Sequence, residues 1–313
     1  VCCSHQPFFF LEITVLSNTY LATAMQTVAD PLTCGRFTLT FERPLIMGIL
    51  NVTPDSFSDG GRFVARDAAL AQAETMVRDG ADILDIGGES TRPGAPPVPL
   101  DEELERVIPV IEALRSTGVP LSIDTYKPAV MRAALTAGAD MINDIWGFRQ
   151  EGAFDAVKDS ACGVCVMHML GEPGTMQKHE PVYRNVVAEV REFFDERVRT
   201  LTEAGIAPNR ICLDPGFGFG KSVTVHNYDL LANFAGTQPV NMNLPLLAGM
   251  SRKSMLGAVT GRTQPSERVA ASVAAAVCAA ERGASIIRVH DVAATADALK
   301  VWQAVREAAN RSQ

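Results

Sequence analysis

Side chains capable of acid–base, cationic or metal chemistry recur at one kind of place in this chain, directly at the end of a short apolar run. The runs end in Asn51, Asp85, Asp124, Asn143 with Asp144, His168, Asp214, Ser251 with Arg252 and Lys253, and Arg288 with His290. One set, Asp124, Asn143 and Asp214, has carboxylate and carboxamide character. It suits a flat heterocycle with N–H donors and a carbonyl, such as a 2-amino-4-oxo-pyrimidine, because a carboxylate accepts two parallel N–H bonds from an amidine-like edge. The second set is cationic: Arg92, Arg252, Lys253, Arg288 and His290. These could hold a pyrophosphate leaving group, with charge-assisted bonds that strengthen as negative charge develops. Asn51, Asp55 and Asp59 are hard oxygen donors of the type Mg²⁺ takes together with phosphate oxygens and water. Plainer readings stand beside each of these: a buried Asp satisfied by backbone amides, an Arg on a solvated rim, a helix cap.

The elements that would position these residues alternate in type. Ile-, Val- and Leu-rich strand candidates cover Leu45–Val52, Ile83–Gly87, Pro120–Asp124, Met141–Ile145, Gly163–His168, Ile211–Asp214, Leu246–Met250 and Ile286–His290. Between them, helical periodicity covers Arg66–Arg78, Glu102–Ser116, Pro128–Ala137, Val186–Ala204, Gln264–Arg282 and Ala293–Ala308. Gly80, Gly118, Gly138, Gly205 and Gly283 sit where left-handed residues would end helices. A Gly-Ala-Asp or Gly-Ala-Ser boundary recurs at Gly80–Asp82, Gly138–Asp140 and Gly283–Ser285, as equivalent units would require. Eight strands separated by helices predict an α/β fold, a (β/α)8 TIM barrel, in which all the strand C-termini converge on one face. Arg36–Phe41 alternates with period two and is expected to form part of a short N-terminal β-hairpin closing the barrel bottom. A doubly wound open sheet competes, but it normally opens with a Gly-rich phosphate turn, and Asn51–Asp55 is not one.

The chain has 313 residues, 47% hydrophobic and 20% charged, with a formal net charge of −8. Disorder is excluded, and a polyanionic partner is disfavoured: no nucleic acid and no membrane are expected. Net charge says nothing against a pyrophosphate substrate, which a few local cations and a metal can hold. The seven cysteines are scattered, and Cys162 with Cys165, though spaced as CxxC, lies in a Val-, Ala- and Met-rich run without a second pair. Free core thiols and a reducing, cytoplasmic setting are expected. Phe8–Leu16 is apolar, but no Lys or Arg precedes it and Glu12 interrupts it. Residues 1–24 are therefore read as a doubtful N-terminal extension, and 25–313 as one barrel domain. The alanine-rich Val269–Ala280 suits close packing against a second copy.

Two βα loops are rich in Gly, Pro and Ser, 53–61 and 87–97, with the composition of segments that order over a ligand. A third, Asp214–Lys221, is Gly-rich and aromatic but lacks the spacing of a phosphate-binding P-loop. Together with these loops, Ile46–Gly61, Asp85–Gly94, Ser122–Thr125, Ile142–Asp144, Met167–Met169, Leu213–Lys221, Ser251–Ser254 and Arg288–Asp291 closely resemble, in order, the motifs of the bacterial dihydropteroate synthases. The resemblance spans about residues 45 to 305.

That resemblance implies a transferase of folate biosynthesis. It would condense 6-hydroxymethyl-7,8-dihydropterin pyrophosphate with p-aminobenzoate, giving 7,8-dihydropteroate and pyrophosphate by a dissociative, Mg²⁺-assisted route. By the same resemblance Asp124, Asn143, Asp214 and Lys253 recognise the pterin, and Arg288 lies near its ring. Asn51 is the Mg²⁺ ligand; Arg92, Arg288 and His290 hold the pyrophosphate; Thr91, Phe219 and Ser251 surround the aminobenzoate. The set expected to act on the reaction is Lys253, Asp214, Arg92, Arg288 and His290. A homodimer is expected, as are sulfonamides as competitive inhibitors, because Glu89–Pro93 keeps the ordinary loop. Other readings are another pterin barrel, such as a methyltetrahydrofolate methyltransferase, a class I aldolase with Lys253 as Schiff base, or a catalytically inactive pterin-binding protein.

Overall fold

A computed structural model of the chain describes residues 28–52, 61–90, 96–171 and 180–311, with the side chains of 61–65 left aside. Two short antiparallel strands come first, β1 (Leu32–Cys34) and β2 (Phe37–Leu39), with Leu32 opposite Leu39 and Cys34 opposite Phe37. Their turn needs Gly35, whose φ is +58°; a Cβ there would lie 2.5 Å from Asp140 Oδ1.

The chain then runs β3 (Leu45–Asn51), α1 (Gly61–Arg78), β4 (Ile83–Gly87), α2 (Leu100–Leu114), β5 (Leu121–Asp124), α3 (Pro128–Ala137) and β6 (Met141–Asp144). It continues through α4 (Ala153–Val157), β7 (Gly163–Met167), α5 (Val186–Glu203), β8 (Ile211–Asp214), α6 (His226–Ala232) and β9 (Leu247–Ala248). It ends with α7 (Ser254–Thr260), α8 (Val269–Ala280), β10 (Ile286–Val289) and α9 (Val292–Arg311). The eight later strands are all parallel, in the order β8-β7-β6-β5-β4-β3-β10-β9. The ring closes between the outer two through one parallel bridge, Leu213 to Leu246, where Leu213 N donates to the Pro245 carbonyl at 2.9 Å. This is the expected barrel, joined at one thin seam.

The seam explains why β9 is shorter than expected. Pro245 can accept but not donate, and past Gly249 the chain turns at Arg252, a non-glycine residue with φ +59°. The helix expected over Gln264–Arg282 begins instead as a 3-10 turn, Pro265–Arg268, where Gln264 and Glu267 form a capping box, before α8 proper. The short helices α4, α6 and α7 have five to seven residues, too few to display a 3.6 period in sequence. The five glycines expected at helix ends all have positive φ.

The repeated boundary motif has a physical role. Asp82 Oδ2 accepts the Ile46 amide at 2.8 Å, Asp140 Oδ2 accepts that of Leu121 at 3.1 Å, and Ser285 Oγ accepts that of Leu246 at 3.4 Å. In each unit the polar side chain accepts a backbone amide at or next to the start of the neighbouring strand. Asp140 is also held by Arg36, at 2.9 and 2.8 Å, which fixes the hairpin beneath the barrel.

Strand alternation then sorts the interior into layers. The lowest holds Leu45, Met47, Ile83, Met141, Cys165, Cys212, Leu247 and Ile286, sealed from below by Leu32, Cys34 and Phe41. So the hairpin closes the bottom, as expected. Cys162 instead faces the outer helix layer, so the CxxC pair is split across the sheet; both thiols are free and buried. Among the described residues no helix is long and apolar enough to cross a membrane.

Candidate functional site

Two residues above the apolar floor, the same strand faces become polar. Ile83 is followed by Asp85, Met141 by Asn143, Cys212 by Asp214 and Ile286 by Arg288, while Asp124 pairs in register with Asn143. Period two therefore points Asp85, Asp124, Asn143, Asp214 and Arg288 into one layer under the barrel mouth. All four acidic and amide residues are buried.

Arg288 organises the layer. Its Nε donates to Asp85 Oδ2 at 2.6 Å and its Nη2 to Asp124 Oδ2 at 2.7 Å, while Asn143 Nδ2 donates to the same Asp85 oxygen at 3.1 Å. Burial opposes the charge on Arg288, but Asp85 and Asp124 outweigh it and hold its pKa above the ordinary value. Burial pushes Asp124 up to about 7, against the pull of Arg288 and with a further push from Asp85. Asp85 Oδ1, Asp124 Oδ1 and Ser122 Oγ are buried without a hydrogen-bond partner. Buried polar atoms are rarely left so, and the two carboxylate oxygens of this layer, with Ser122 Oγ one step below in register with Met141, mark a seat for a ligand rich in donors.

A second arm closes the layer from β8 and the turn after β9. Asp214 Oδ1 accepts the Gly216 amide at 2.8 Å, and Lys253 Nζ donates to the Phe217 carbonyl at 2.6 Å while lying 4.8 Å from the Phe219 ring centroid. Burial lowers Lys253 to about 8, opposed by Asp214; burial likewise raises Asp214, opposed by Lys253. Ser251 Oγ accepts the His290 amide at 3.1 Å and lies 3.0 Å from its Nδ1. Arg252, between Ser251 and Lys253, instead donates through Nε to Asp291 Oδ2 at 2.9 Å, so it is already committed within the protein. An apolar collar of Ile145, Met167, Met169 and Phe219, flanked by Tyr126 and Trp146, surrounds the mouth. It offers flat surfaces to a planar ring.

The Gly-rich segment after β8 is built for close approach. A Cβ at Gly216 would fall 2.0 Å from the His168 carbonyl oxygen, which explains the glycine without a phosphate. Lys221, wholly buried, ties the segment to β7: its Nζ meets His168 Nδ1 at 2.9 Å and the Phe219 carbonyl at 3.1 Å. Burial lowers it to about 7. His168 and Asp144 serve structure, the latter accepting the Trp146 and Phe148 amides at 2.8 and 2.7 Å.

The expected site residues Asn51, Asp124, Asn143, Asp214, Phe219, Ser251, Lys253, Arg288 and His290 all belong to this end of the barrel. Asn51 ends β3, with its Oδ1 3.8 Å from the point a Gly87 Cβ would occupy and the Asp124 Cβ 3.7 Å from that same point. Thr91 and Arg92 lie outside the described residues, as do Asp55 and Asp59. Asp85 had no assigned role in the sequence reading, although its two-residue step from buried Ile83 carries the signal. A separate cleft of about 580 Å³ between α5 and α6 is lined by residues such as Asn185, Arg191 and His226. None of the barrel-mouth residues lines it, so the polar layer is the candidate site.

The model of a family described as pterin binding enzyme matches residues 47–290. The dihydropteroate synthase of Escherichia coli K12 is 50% identical over 271 residues, 86% of this chain and 94% of its own. The structure of Burkholderia cenocepacia dihydropteroate synthase complexed with 7,8-dihydropteroate is 66% identical with a TM-score of 0.85, covering 91% of this chain and 99% of that one. The Yersinia pestis dihydropteroate synthase, solved with a sulfonamide drug, is 49% identical with a TM-score of 0.83, covering 89% and 100%.

Proposed function

This chain belongs to the pterin-binding enzyme family, as one of its dihydropteroate synthases, and on that premise we propose how its pocket works. The reaction joins 6-hydroxymethyl-7,8-dihydropterin pyrophosphate to p-aminobenzoate and releases pyrophosphate. The observation that carries this reading is the set of partnerless acceptors, Asp85 Oδ1 and Asp124 Oδ1, beside the Asn143 amide. These are complementary to the N–H-rich edge of a 2-amino-4-oxo-pyrimidine.

In this reading Asp124, Asn143 and Asp214 hold the pterin edge, with Lys253 donating to its acceptor side. Arg288, fixed by Asp85 and Asp124, lies beside the ring. Phe219 and Ser251, with Thr91 of the second loop, bound the aminobenzoate. Arg92, Arg288 and His290 hold the pyrophosphate. Its departure leaves positive charge on the CH₂ that delocalises into the ring, and the Asp214 carboxylate stabilises that charge. The aminobenzoate nitrogen is neutral near pH 7, so it attacks the CH₂ without a dedicated base, and the ammonium so formed then loses its proton to water or the released pyrophosphate.

Mg²⁺ is the proposed cofactor. Among the described residues no cluster of three or more His, Cys, Asp or Glu could hold a metal. One hard oxygen, Asn51 Oδ1, fits an ion that completes its shell with phosphate oxygens and water. When bound it neutralises charge on the leaving pyrophosphate.

The buried free thiols Cys34, Cys162, Cys165 and Cys212 support a reducing, cytoplasmic setting. Exposed Ala270, Ala274 and Cys278 on α8, and exposed Val301 and Val305 on the neighbouring α9, support a homodimer through this side of the barrel. The test of the function is a pyrophosphate-release assay with both substrates, with and without Mg²⁺. Release that needs p-aminobenzoate supports the reading, and no release from the wild-type protein rejects it.

A further inference from the structure

Arg252 stands between two residues of the pocket, Ser251 and Lys253, and its backbone is left-handed, with φ +59°. The turn is closed by the Lys253 amide, which donates to the Met250 carbonyl at 3.1 Å. Lys253 then caps α7, its carbonyl accepting the Leu256 amide at 3.1 Å. A positive φ crowds the Cβ of an L-residue against the backbone, so glycine or asparagine is the usual occupant of such a position. An arginine persists there only where its surroundings hold it.

Those surroundings come from outside the barrel mouth. Ser272, buried in α8, accepts the Arg252 amide on Oγ at 2.9 Å and donates its own hydroxyl to the Arg268 carbonyl at 2.6 Å. Arg268, at the end of the 3-10 turn before α8, donates from Nη1 to the Arg252 carbonyl at 2.9 Å. Its Nε and Nη2 donate to the Arg262 and Thr263 carbonyls at 3.0 and 2.5 Å, so one planar fork gathers three carbonyls from two stretches of chain. The guanidinium lies so close to α7 that a Cβ on Gly257 would fall 2.7 Å from Arg268 Nε. Both backbone polar groups of Arg252 are thus fixed, the amide by Ser272 and the carbonyl by Arg268, while its side chain turns away to Asp291.

We propose that Ser272 and Arg268 are positioning residues: by holding Arg252 left-handed they aim Lys253 at the pterin seat and Ser251 at His290. The proposal rests on the functional reading above, in which Lys253 donates to the pterin. An Arg252 with negative φ would rotate the chain that follows it and carry Lys253 away from the Phe217 carbonyl, which its Nζ now meets at 2.6 Å. The bonds made by Ser272 and Arg268 end on backbone groups, so their influence on the pocket passes through the Arg252 backbone.

Full-length Ser272→Ala should bind free pterin about tenfold more weakly, the scale of one lost buried hydrogen bond. Burial lowers Lys253 to about 8, against Asp214 and Asp124 and with Arg288 and Lys221 adding to the lowering. An ammonium released from the pocket returns toward its ordinary value, so the alkaline limb of pterin binding should move up in pH. Loss of stability alone would leave that limb in place. Arg252→Gly, which takes a left-handed φ without help, should bind pterin within about threefold of wild type, and adding Ser272→Ala to it should cost less than about twofold. Wild-type affinity with an unmoved limb in Ser272→Ala overturns the proposal. So does an equal cost in the Arg252→Gly background, or loss of pterin binding in Arg252→Gly alone. Arg268→Lys, whose ammonium cannot span three carbonyls, serves with the same expectations where Ser272→Ala does not fold. Wild-type protein that binds no pterin would reject the functional reading instead. Unchanged hydrogen exchange at the Lys253 amide in Ser272→Ala would reject the clamp whatever the ligand is.

Discussion

Asp85 and Arg288 lie 203 positions apart in the chain, yet Asp85 Oδ2 accepts from Arg288 Nε at 2.6 Å in the centre of the barrel. The same oxygen receives Asn143 Nδ2, so one carboxylate on β4 orients side chains from β10 and β6. The buried guanidinium is shared between Asp85 and Asp124, and its direction is set before any ligand arrives.

Replacing Asp85 by Asn keeps the shape but removes that charge. Asp85→Asn should weaken free-pterin binding at least about tenfold and lower stability by ~2 kcal/mol, as expected for a lost charged hydrogen bond. Calorimetric titration and urea unfolding measure the two effects. Wild-type pterin affinity in this variant would show that Arg288 is held without Asp85.

Lys253 places an ammonium beside both Asp214 and the Phe219 ring. Lys253→Ala should abolish turnover and weaken pterin binding. Near-normal activity would remove it from the site.

Asn51 is assigned to the metal and pyrophosphate side. Asn51→Ala should raise the Mg²⁺ concentration needed for half-maximal pyrophosphate release, with free-pterin affinity unchanged. Equal loss of free-pterin affinity would contradict that division of the pocket.

The pH dependence of pterin binding follows from two groups. Asp124 is held up at about 7, so below that pH it is protonated and its acceptor capacity falls. Lys253 is lowered to about 8, so above that pH it loses its charge and donor strength. Affinity for free pterin should therefore rise as pH climbs to about 7 and decline above about 8. Asp124→Asn should flatten the acid limb, and an unaltered acid limb would assign it to another group.

Glu89 through Pro93 keeps the ordinary loop sequence. Sulfonamides are therefore expected to inhibit in competition with p-aminobenzoate. Steady-state kinetics check this: inhibition that added p-aminobenzoate cannot relieve would contradict it.

Much of this molecule was legible in the residues alone. Apolar runs ending in Asn51, Asp124, Asn143, Asp214, Lys253 and Arg288 announced a barrel with one polar face, because strand alternation and parallel connection leave little freedom in where such residues go. The hairpin beneath the barrel was visible in the same way. Partnership was not legible, since it depends on which strands become neighbours across the ring. Arg252 and Arg288 look alike in sequence, but the left-handed turn sends one to Asp291 and register sends the other to Asp85 and Asp124. Asp85 and Lys221 gained their roles only through contacts made across long stretches of chain. Local pattern determined which side chains face inward; closure of the barrel decided which of them meet.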